Sequence, residues 1–251
     1  MSDALTTWVL LRGLMRDSRH WGDFPQAFAR EMPGARIELL DFPGNGALNE
    51  QSSASSVDAM ADYCRAELQR RGLKPPYRLL AMSLGAMAAT SWASRYPQEL
   101  DACVLINTSL RPFSPPHWRL RPAAWPAVLR LALRPPAVRA IERMILRLTS
   151  RLARDPETLL DDWTQWRLSH PVSRANALRQ LLAAARYRAP IAAPATRLLI
   201  LNSARDALVD SRCSQRLARR WDCEIAVHPS AGHDLPLDDG AWVIEQIRRW
   251  L

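Results

Sequence analysis

The apolar positions of this chain fall into short continuous runs, each followed by a longer amphipathic or small-residue stretch. Trp8-Val9-Leu10-Leu11 meets a turn at Arg12-Gly13, the pattern of a buried strand reaching the end of a sheet. Ser18 to Arg30 reads as a helix, and Arg36-Ile37-Glu38-Leu39-Leu40-Asp41 as a second strand closed by Phe42-Pro43-Gly44-Asn45-Gly46. After a Ser-rich loop, Val57 to Arg71 has helical periodicity until Gly72 and Pro75-Pro76 break it. Leu79 to Met82 predicts the third strand. It stops at Ser83, and an Ala- and Met-rich helix follows at once, ending near Tyr96 before Pro97. Ala102 to Ile106 is the fourth strand, Thr196 to Leu201 the fifth and Glu224 to His228 the sixth. Helices are expected near Arg212 to Arg220 and from Ala241 to Leu251.

Strand alternating with helix predicts an α/β fold, a parallel sheet covered on both faces with right-handed crossovers. The alternation fails once. From Leu110 to Pro194 the chain shows only helical patterns cut by prolines, a stretch too long for a connecting loop. Residues 1–109 and 195–251 therefore read as the α/β core, and 110–194 as a helical lid subdomain inserted between the fourth and fifth strands. In open parallel sheets the ligand crevice lies at the carboxyl ends of the strands, where Ser83 falls.

Composition changes this picture little. With 251 residues and 48% hydrophobic composition, the chain can bury a large core. All but Lys74 of its 34 basic residues are arginine, and the net charge is +9. No helix-turn-helix, zinc-finger or RNA-binding signature accompanies the charge, so nucleic acid is not an expected partner. Cys64, Cys103, Cys213 and Cys223 have no C-x-x-C spacing and read as small core residues in a reducing compartment rather than a metal site or disulfide frame. The first residues lack a basic n-region and a cleavage site, and no apolar run approaches the roughly 20 residues of a membrane span. A soluble cytoplasmic protein is the expectation, with no cofactor and no metal-ligand cluster.

The chemistry centres on Ser83. A strand that becomes a helix over one residue passes through a tight corner that accepts only small neighbours, here Ala81 and Gly85. Such a corner lifts the hydroxyl above the sheet, beside the free N–H groups and positive dipole of a helix N-terminus. The stretch Ala81-Met82-Ser83-Leu84-Gly85 has the form of the G-x-S-x-G nucleophile elbow, with Ala in place of the first Gly. A serine nucleophile needs a base and a group to orient that base. Of the five histidines, His20 sits in the first helix, His117 and His170 in the lid, and His228 at a strand end. His233 follows the last strand in Ala231-Gly232-His233-Asp234, in a loop able to turn inward. After the fifth strand, Arg205-Asp206-Ala207-Leu208-Val209 offers Asp206, with Asp210 four residues on. Asp41 reads as the residue that fixes the Pro43–Gly46 turn.

The order Ser83, Asp206, His233, each in the loop after a different strand, resembles that of the α/β-hydrolase family. The resemblance extends over nearly the whole chain through Arg12-Gly13, Asp41 to Gly46, the Ser83 elbow, the Asp206 loop and the His233 loop. Within the family the layout is similar to that of small bacterial carboxylesterases such as the pimeloyl-carrier-protein methyl ester esterase. It implies a catalytic Ser83, Asp206 and His233, and an oxyanion hole made of the backbone N–H groups of Leu14 and Leu84. It also implies a serine hydrolase that cleaves carboxylic esters or thioesters through an acyl-enzyme. An acyltransferase or lyase on the same elbow, and a non-catalytic ligand-binding homologue, stand as alternatives. Two departures stand out. Arg12-Gly13 replaces the family's His-Gly, which leaves the position of the loop open, and Ala81 adds a methyl at the corner. Residues 1–6 are too short to supply the family's two opening strands, so a wholly parallel six-stranded sheet is expected.

Residues 111–190 hold 15 arginines against five carboxylates (Glu142, Asp155, Glu157, Asp161 and Asp162), which places the chain's excess charge in the lid, interleaved with Trp118, Trp125, Trp163 and Trp166. One reading is amphipathic helices whose Arg stems cover apolar surface. The other is an apolar acyl pocket under a cationic rim that recruits an acidic acyl carrier protein, a coenzyme A ester or an anionic lipid surface.

Overall fold

A computed structural model describes residues 5–133 and 137–251. The expectation for residues 1–4, and the part of the helical block at 134–136, lie outside the described residues. Six strands, β1 (Thr6–Leu11), β2 (Ala35–Leu40), β3 (Tyr77–Met82), β4 (Leu100–Ile106), β5 (Arg197–Ser203) and β6 (Glu224–His228), form one sheet. Its order is β2-β1-β3-β4-β5-β6, and every pairing is parallel. Among the described residues ten helices accompany it: α1 (Phe24–Glu31), α2 (Val57–Arg70), α3 (Leu84–Arg95), α4 (Pro116–Arg119), α5 (Trp125–Leu133), α6 (Val138–Thr149), α7 (Pro156–Ser169), α8 (Arg174–Arg186), α9 (Arg212–Trp221) and α10 (Leu235–Trp250). Five of them, α4 to α8, fall between β4 and β5. No helix among the described residues is long and apolar enough to cross a membrane.

The strands are apolar throughout because both faces are covered. Val9, Leu11, Leu79, Ala81, Cys103, Leu105 and Ile200 pack on one side with residues of α2, α3 and α9. Their alternates Trp8, Leu10, Leu80, Met82, Val104, Ile106 and Leu201 pack on the other with residues of α1 and α10. This period-two division, with both sets buried, is the signature of a doubly covered sheet. A separate small cluster of Leu146, Leu160 and Trp163 joins α6 to α7. Cys64, Cys103 and Cys213 are buried and Cys223 half-buried, all as free thiols. Burial pushes the Cys213 and Cys223 thiols up to about 11.

Two boundaries differ from the sequence reading. The expected helix over 18–30 is a 3-10 turn (Ser18–Trp21) followed by α1, because Gly22 takes φ 53 between them and Pro25 suits only a first turn. The last helix begins at Leu235, not at 241, and is broken by Asp239 at φ −152, ψ 76. Pro236 starts it, and the break at Asp239 separates a short opening segment from the helix expected over 241–251. Register puts Leu11 opposite Ala81, Met82 opposite Ile106 and Ser203 opposite His228. The loops carrying Leu14, Ser83, Asp206 and His233 therefore leave from one edge of the sheet. The chain reverses direction across the sheet between β1 and β3, and the crevice of such a fold opens at that switch point.

Candidate active site

Ser83 occupies the corner between β3 and α3 at φ 54, ψ −116, a conformation that costs a non-glycine residue of order 1–3 kcal/mol. The surroundings over-determine it. Its N–H donates to Ile106 O at 2.9 Å, and its carbonyl accepts from Thr108 Oγ1 at 3.2 Å. A Cβ at residue 85 would lie 2.5 Å from Leu11 O and 2.6 Å from Arg12 O, so Gly85 is required by the close approach of α3 to the end of β1. Gly13 abuts the serine from the other side, where a Cβ would come within 3.2 Å of Ser83 Cβ. Ala81 is wholly buried in the core, and its extra methyl is accommodated. No acidic residue and no side-chain cap occupies the N-terminus of α3, so its N–H groups keep their positive potential for an incoming anion or oxyanion.

His233 is 5% exposed, its side chain turned into the protein. Its Nδ1 lies 2.6 Å from Asp206 Oδ2. The other carboxylate oxygen of Asp206 accepts the N–H groups of Leu208 and Val209 at 2.8 and 2.9 Å, which fixes the carboxylate before it meets the imidazole. Burial opposes a charge on His233, but the facing Asp206 carboxylate, with Asp234 adding to it, outweighs burial and raises the imidazole above its ordinary value. Asp210, the alternative acid, instead accepts the N–H and guanidinium of Arg212 at the start of α9. No hydrogen bond joins Ser83 Oγ to His233; bonds of this kind are often long before substrate tightens them.

Asp41 departs from the expected role. Its carboxylate accepts the Ser18 N–H at 2.6 Å and the Ser18 hydroxyl at 3.3 Å, serving the loop after β1 rather than the turn at 43–46. Burial first, and then the Asp17 charge, push it up to about 6. His20 is buried beside Arg16 and Asp17, and burial with the Arg16 charge takes it down to about 4, so it is neutral at working pH. His228 Nδ1 accepts the N–H groups of Ser230 and Ala231, shaping the turn that delivers His233. His117 in α4 packs on Trp118, and His170 at the end of α7 faces Arg19. No group of three or more His, Cys, Asp or Glu suited to a metal ion occurs among the described residues.

Three groups whose partners sequence reasoning did not find hold these loops together. Asn107, immediately after β4, takes φ 45. Its amide donates to His233 O at 2.8 Å, Gly232 O at 3.3 Å and Ser203 Oγ at 2.9 Å, and its oxygen accepts Ser203 N–H at 2.8 Å. An Asn directly after an apolar strand was the available signal. Arg12, whose place in the loop was left open, pairs with Asp234. The third is a set of pins from the helical block. Glu142 of α6, fully buried, meets Arg16 at 2.9 Å and also Arg167. Burial favours its neutral form, yet the two guanidiniums hold its carboxyl below the usual range. Gln180 of α8 accepts the Met15 N–H at 2.9 Å and donates to Asn45 and Ser53. Asp238 receives Ser150 Oγ and the N–H groups of Arg151, Leu152 and Gly232.

The N–H groups of Leu14 and Leu84 have no acceptor among the described residues; both belong to half-exposed or terminal positions of the site, Leu84 being the first residue of α3. Two surface cavities, of about 300 and 400 Å³, are lined by arginines of α6 and of α9 and touch neither Ser83 nor His233. The second, walled by Trp118, Arg212, Arg216, Arg219 and Arg220, shows that cationic surface also extends onto α9, outside the helical block.

Comparison with known proteins adds four findings. The profile described as "Alpha/beta hydrolase family" matches residues 8–246. The pimeloyl-[acyl-carrier protein] methyl ester esterase of Pectobacterium carotovorum is 27% identical over 234 residues, 91% of this chain and 87% of that protein. A shorter match, 29% identical over 75 residues, is to the uncharacterized protein YbdG of Bacillus subtilis, and it covers 30% of this chain and only 23% of that one. Among solved structures, a thermophilic esterase from Thermogutta terrifontis superposes with a TM-score of 0.77 at 22% identity, over 98% of this chain and 89% of that one, a likeness of fold.

Proposed function

The chain belongs to the alpha/beta hydrolase family, and from that premise we propose that it is a serine hydrolase of carboxylic esters or thioesters, with Ser83 as nucleophile, His233 as general base and Asp206 as the group that orients it. The observation that carries the reading is the 2.6 Å contact of His233 Nδ1 with Asp206, at the same sheet edge as a strained serine corner. With Nδ1 donating to the carboxylate, the imidazole presents Nε2 as the proton acceptor. His233 takes the Ser83 proton as Oγ attacks the acyl carbonyl. The resulting oxyanion is stabilised by the Leu14 and Leu84 N–H groups, each such donor being worth roughly 3–4 kcal/mol in the transition state. Protonation by the imidazolium releases the alcohol or thiol, and a water activated by His233 then hydrolyses the acyl-enzyme.

In this reading α4 to α8 form a lid over the carboxyl edge of the sheet. Its arginines favour an acyl group presented on an anionic carrier, and the Pectobacterium relative, named for an acyl-carrier-protein ester, supports that substrate class. A fluorophosphonate probe should label the protein and fail to label Ser83→Ala. A panel of p-nitrophenyl esters of rising chain length then sizes the acyl pocket. Equal labelling of both proteins, or no hydrolysis of any ester, overturns the reading.

A further inference from the structure

We propose that Arg12 and Asp234 are positioning residues, their buried ion pair locking the loop that carries the Leu14 N–H to the loop that carries His233. The inference rests on the serine-hydrolase reading above. The two residues are 222 positions apart and each is 3% exposed. Arg12 Nη1 donates to Asp234 Oδ1 at 3.1 Å and Nη2 to Oδ2 at 2.5 Å, a two-pronged contact that fixes direction as well as distance. The guanidinium is backed by the Trp21 ring, whose centroid is 4.8 Å away. Asp234 is anchored in turn by its own N–H, which donates to Thr149 O at 2.7 Å.

Each partner adjoins a working residue. Gly13, next to Arg12, lies so near Ser83 that a Cβ there would come within 3.2 Å of Ser83 Cβ, and Leu14 follows. Asp234 is next to His233. Among the described residues no other hydrogen bond joins residues 12–17 to residues 230–238. Stability alone does not explain such a pair, because apolar residues of similar volume commonly serve a buried position as well. What a guanidinium and a carboxylate add is a fixed relative orientation of two loops, and oxyanion donors and base must hold one geometry around the same reacting carbonyl. The pair also sets the local charge. The charged groups facing His233 are Asp206 and Asp234, which favour its protonation, and Arg12, which opposes it; Arg16 faces Asp234 from the same loop as Arg12.

The test compares the parent, Ser83→Ala, Asp234→Asn and the double variant Arg12→Met with Asp234→Leu, using p-nitrophenyl butyrate and a fluorophosphonate probe. Asp234→Asn and the double variant should each lose about 100-fold in kcat, the scale of a misplaced reacting group, with KM little changed. The acid limb of the Asp234→Asn pH profile should move to lower pH, since one carboxylate facing the imidazole has lost its charge. A double variant that melts near the parent and keeps kcat within about threefold, on that same scale, overturns the proposal. If the double variant does not fold, Asp234→Asn decides: unchanged kcat and an unchanged acid limb overturn it. If the parent neither hydrolyses the ester nor takes the label, the hydrolase reading has failed instead. The downfield proton signal of His233 Nδ1–H, assigned with His233→Ala, then decides the positioning role. It should be sharp in the parent and lost in Asp234→Asn, and persistence of the signal in that variant overturns the role.

Discussion

At the scale of single residues, the chemistry depends on which groups are held before substrate arrives. Asp206 spends one carboxylate oxygen on the N–H groups of its own loop and the other on His233, so its orientation does not depend on the imidazole. Asp206→Asn should therefore leave the fold intact and lower kcat by about 10⁴, as loss of the orienting carboxylate does in serine hydrolases with this arrangement. Asp210→Asn should leave kcat unchanged, because Asp210 serves Arg212 at the head of α9. Steady-state kinetics of the two variants side by side checks both. The pH profile has a definite sign. The base works as neutral imidazole, and Asp206 raises its pKa above the ordinary 6.5 despite burial. The acid limb of kcat/KM should thus lie above pH 6.5, and in Asp206→Asn, where burial is left without its counterweight, it should fall below the parent's. Ser83 and His233, with Asp206 or Asp210 as the acid, could be named from the sequence as candidates because a reacting group needs a particular residue type at a loop position. Asn107 and the Arg12–Asp234 pair could not, because their partners are set by which loops meet in space.

At the scale of elements, the elbow and the helical block carry separate predictions. Gly85 packs on the backbone carbonyls of Leu11 and Arg12, which have no side chain to move aside. Gly85→Ala should cost about 1–3 kcal/mol or prevent folding, whereas Ala81→Gly, in the interior of β3, should cost only about 0.5–1 kcal/mol; denaturant unfolding of both distinguishes them. The block is pinned to the core by Glu142 and by Gln180, both fully buried. Glu142→Gln leaves Arg16 and Arg167 facing a neutral amide in the interior and should destabilise the protein by about 3–5 kcal/mol. The linkage sign follows from the lowered carboxyl of Glu142. Its stabilisation is present above the ordinary value of 4.5 and is lost as pH falls through the lower folded-state value. Acid-induced unfolding followed by circular dichroism should be less steep in Glu142→Gln. Sequence pattern found the strands and most helices because burial on two faces imposes period two and on one face period 3.6. It joined the 3-10 turn to α1 and started α10 late because a break at Gly22 or Asp239 is a matter of one residue's φ and ψ, which periodicity averages away.

At the scale of the whole molecule, charge and topology act together. Arginines line surface cavities on both the helical block and α9, and under the proposed function such a field would steer an anionic carrier, an attraction that salt screens beyond about 10 Å at 0.1 M. For an acidic carrier-bound ester, kcat/KM should fall as salt is added while that of a neutral p-nitrophenyl ester stays level. A flat profile for both removes the recruiting role of the arginines. The sequence by itself determined the six-stranded parallel sheet, its order of strands and helices, and the place of the serine at a strand end, because these follow from local periodicity and from the small residues that a sharp corner demands. Only the tertiary structure decided which carboxylate meets the imidazole, that Arg12 pairs with Asp234, and that Glu142, Gln180 and Asp238 fasten the helical block to the loops of the site. Such contacts join residues as many as 222 positions apart. They are fixed by register across the sheet and by the need of each buried charge for a partner, neither of which leaves a periodic trace along the chain.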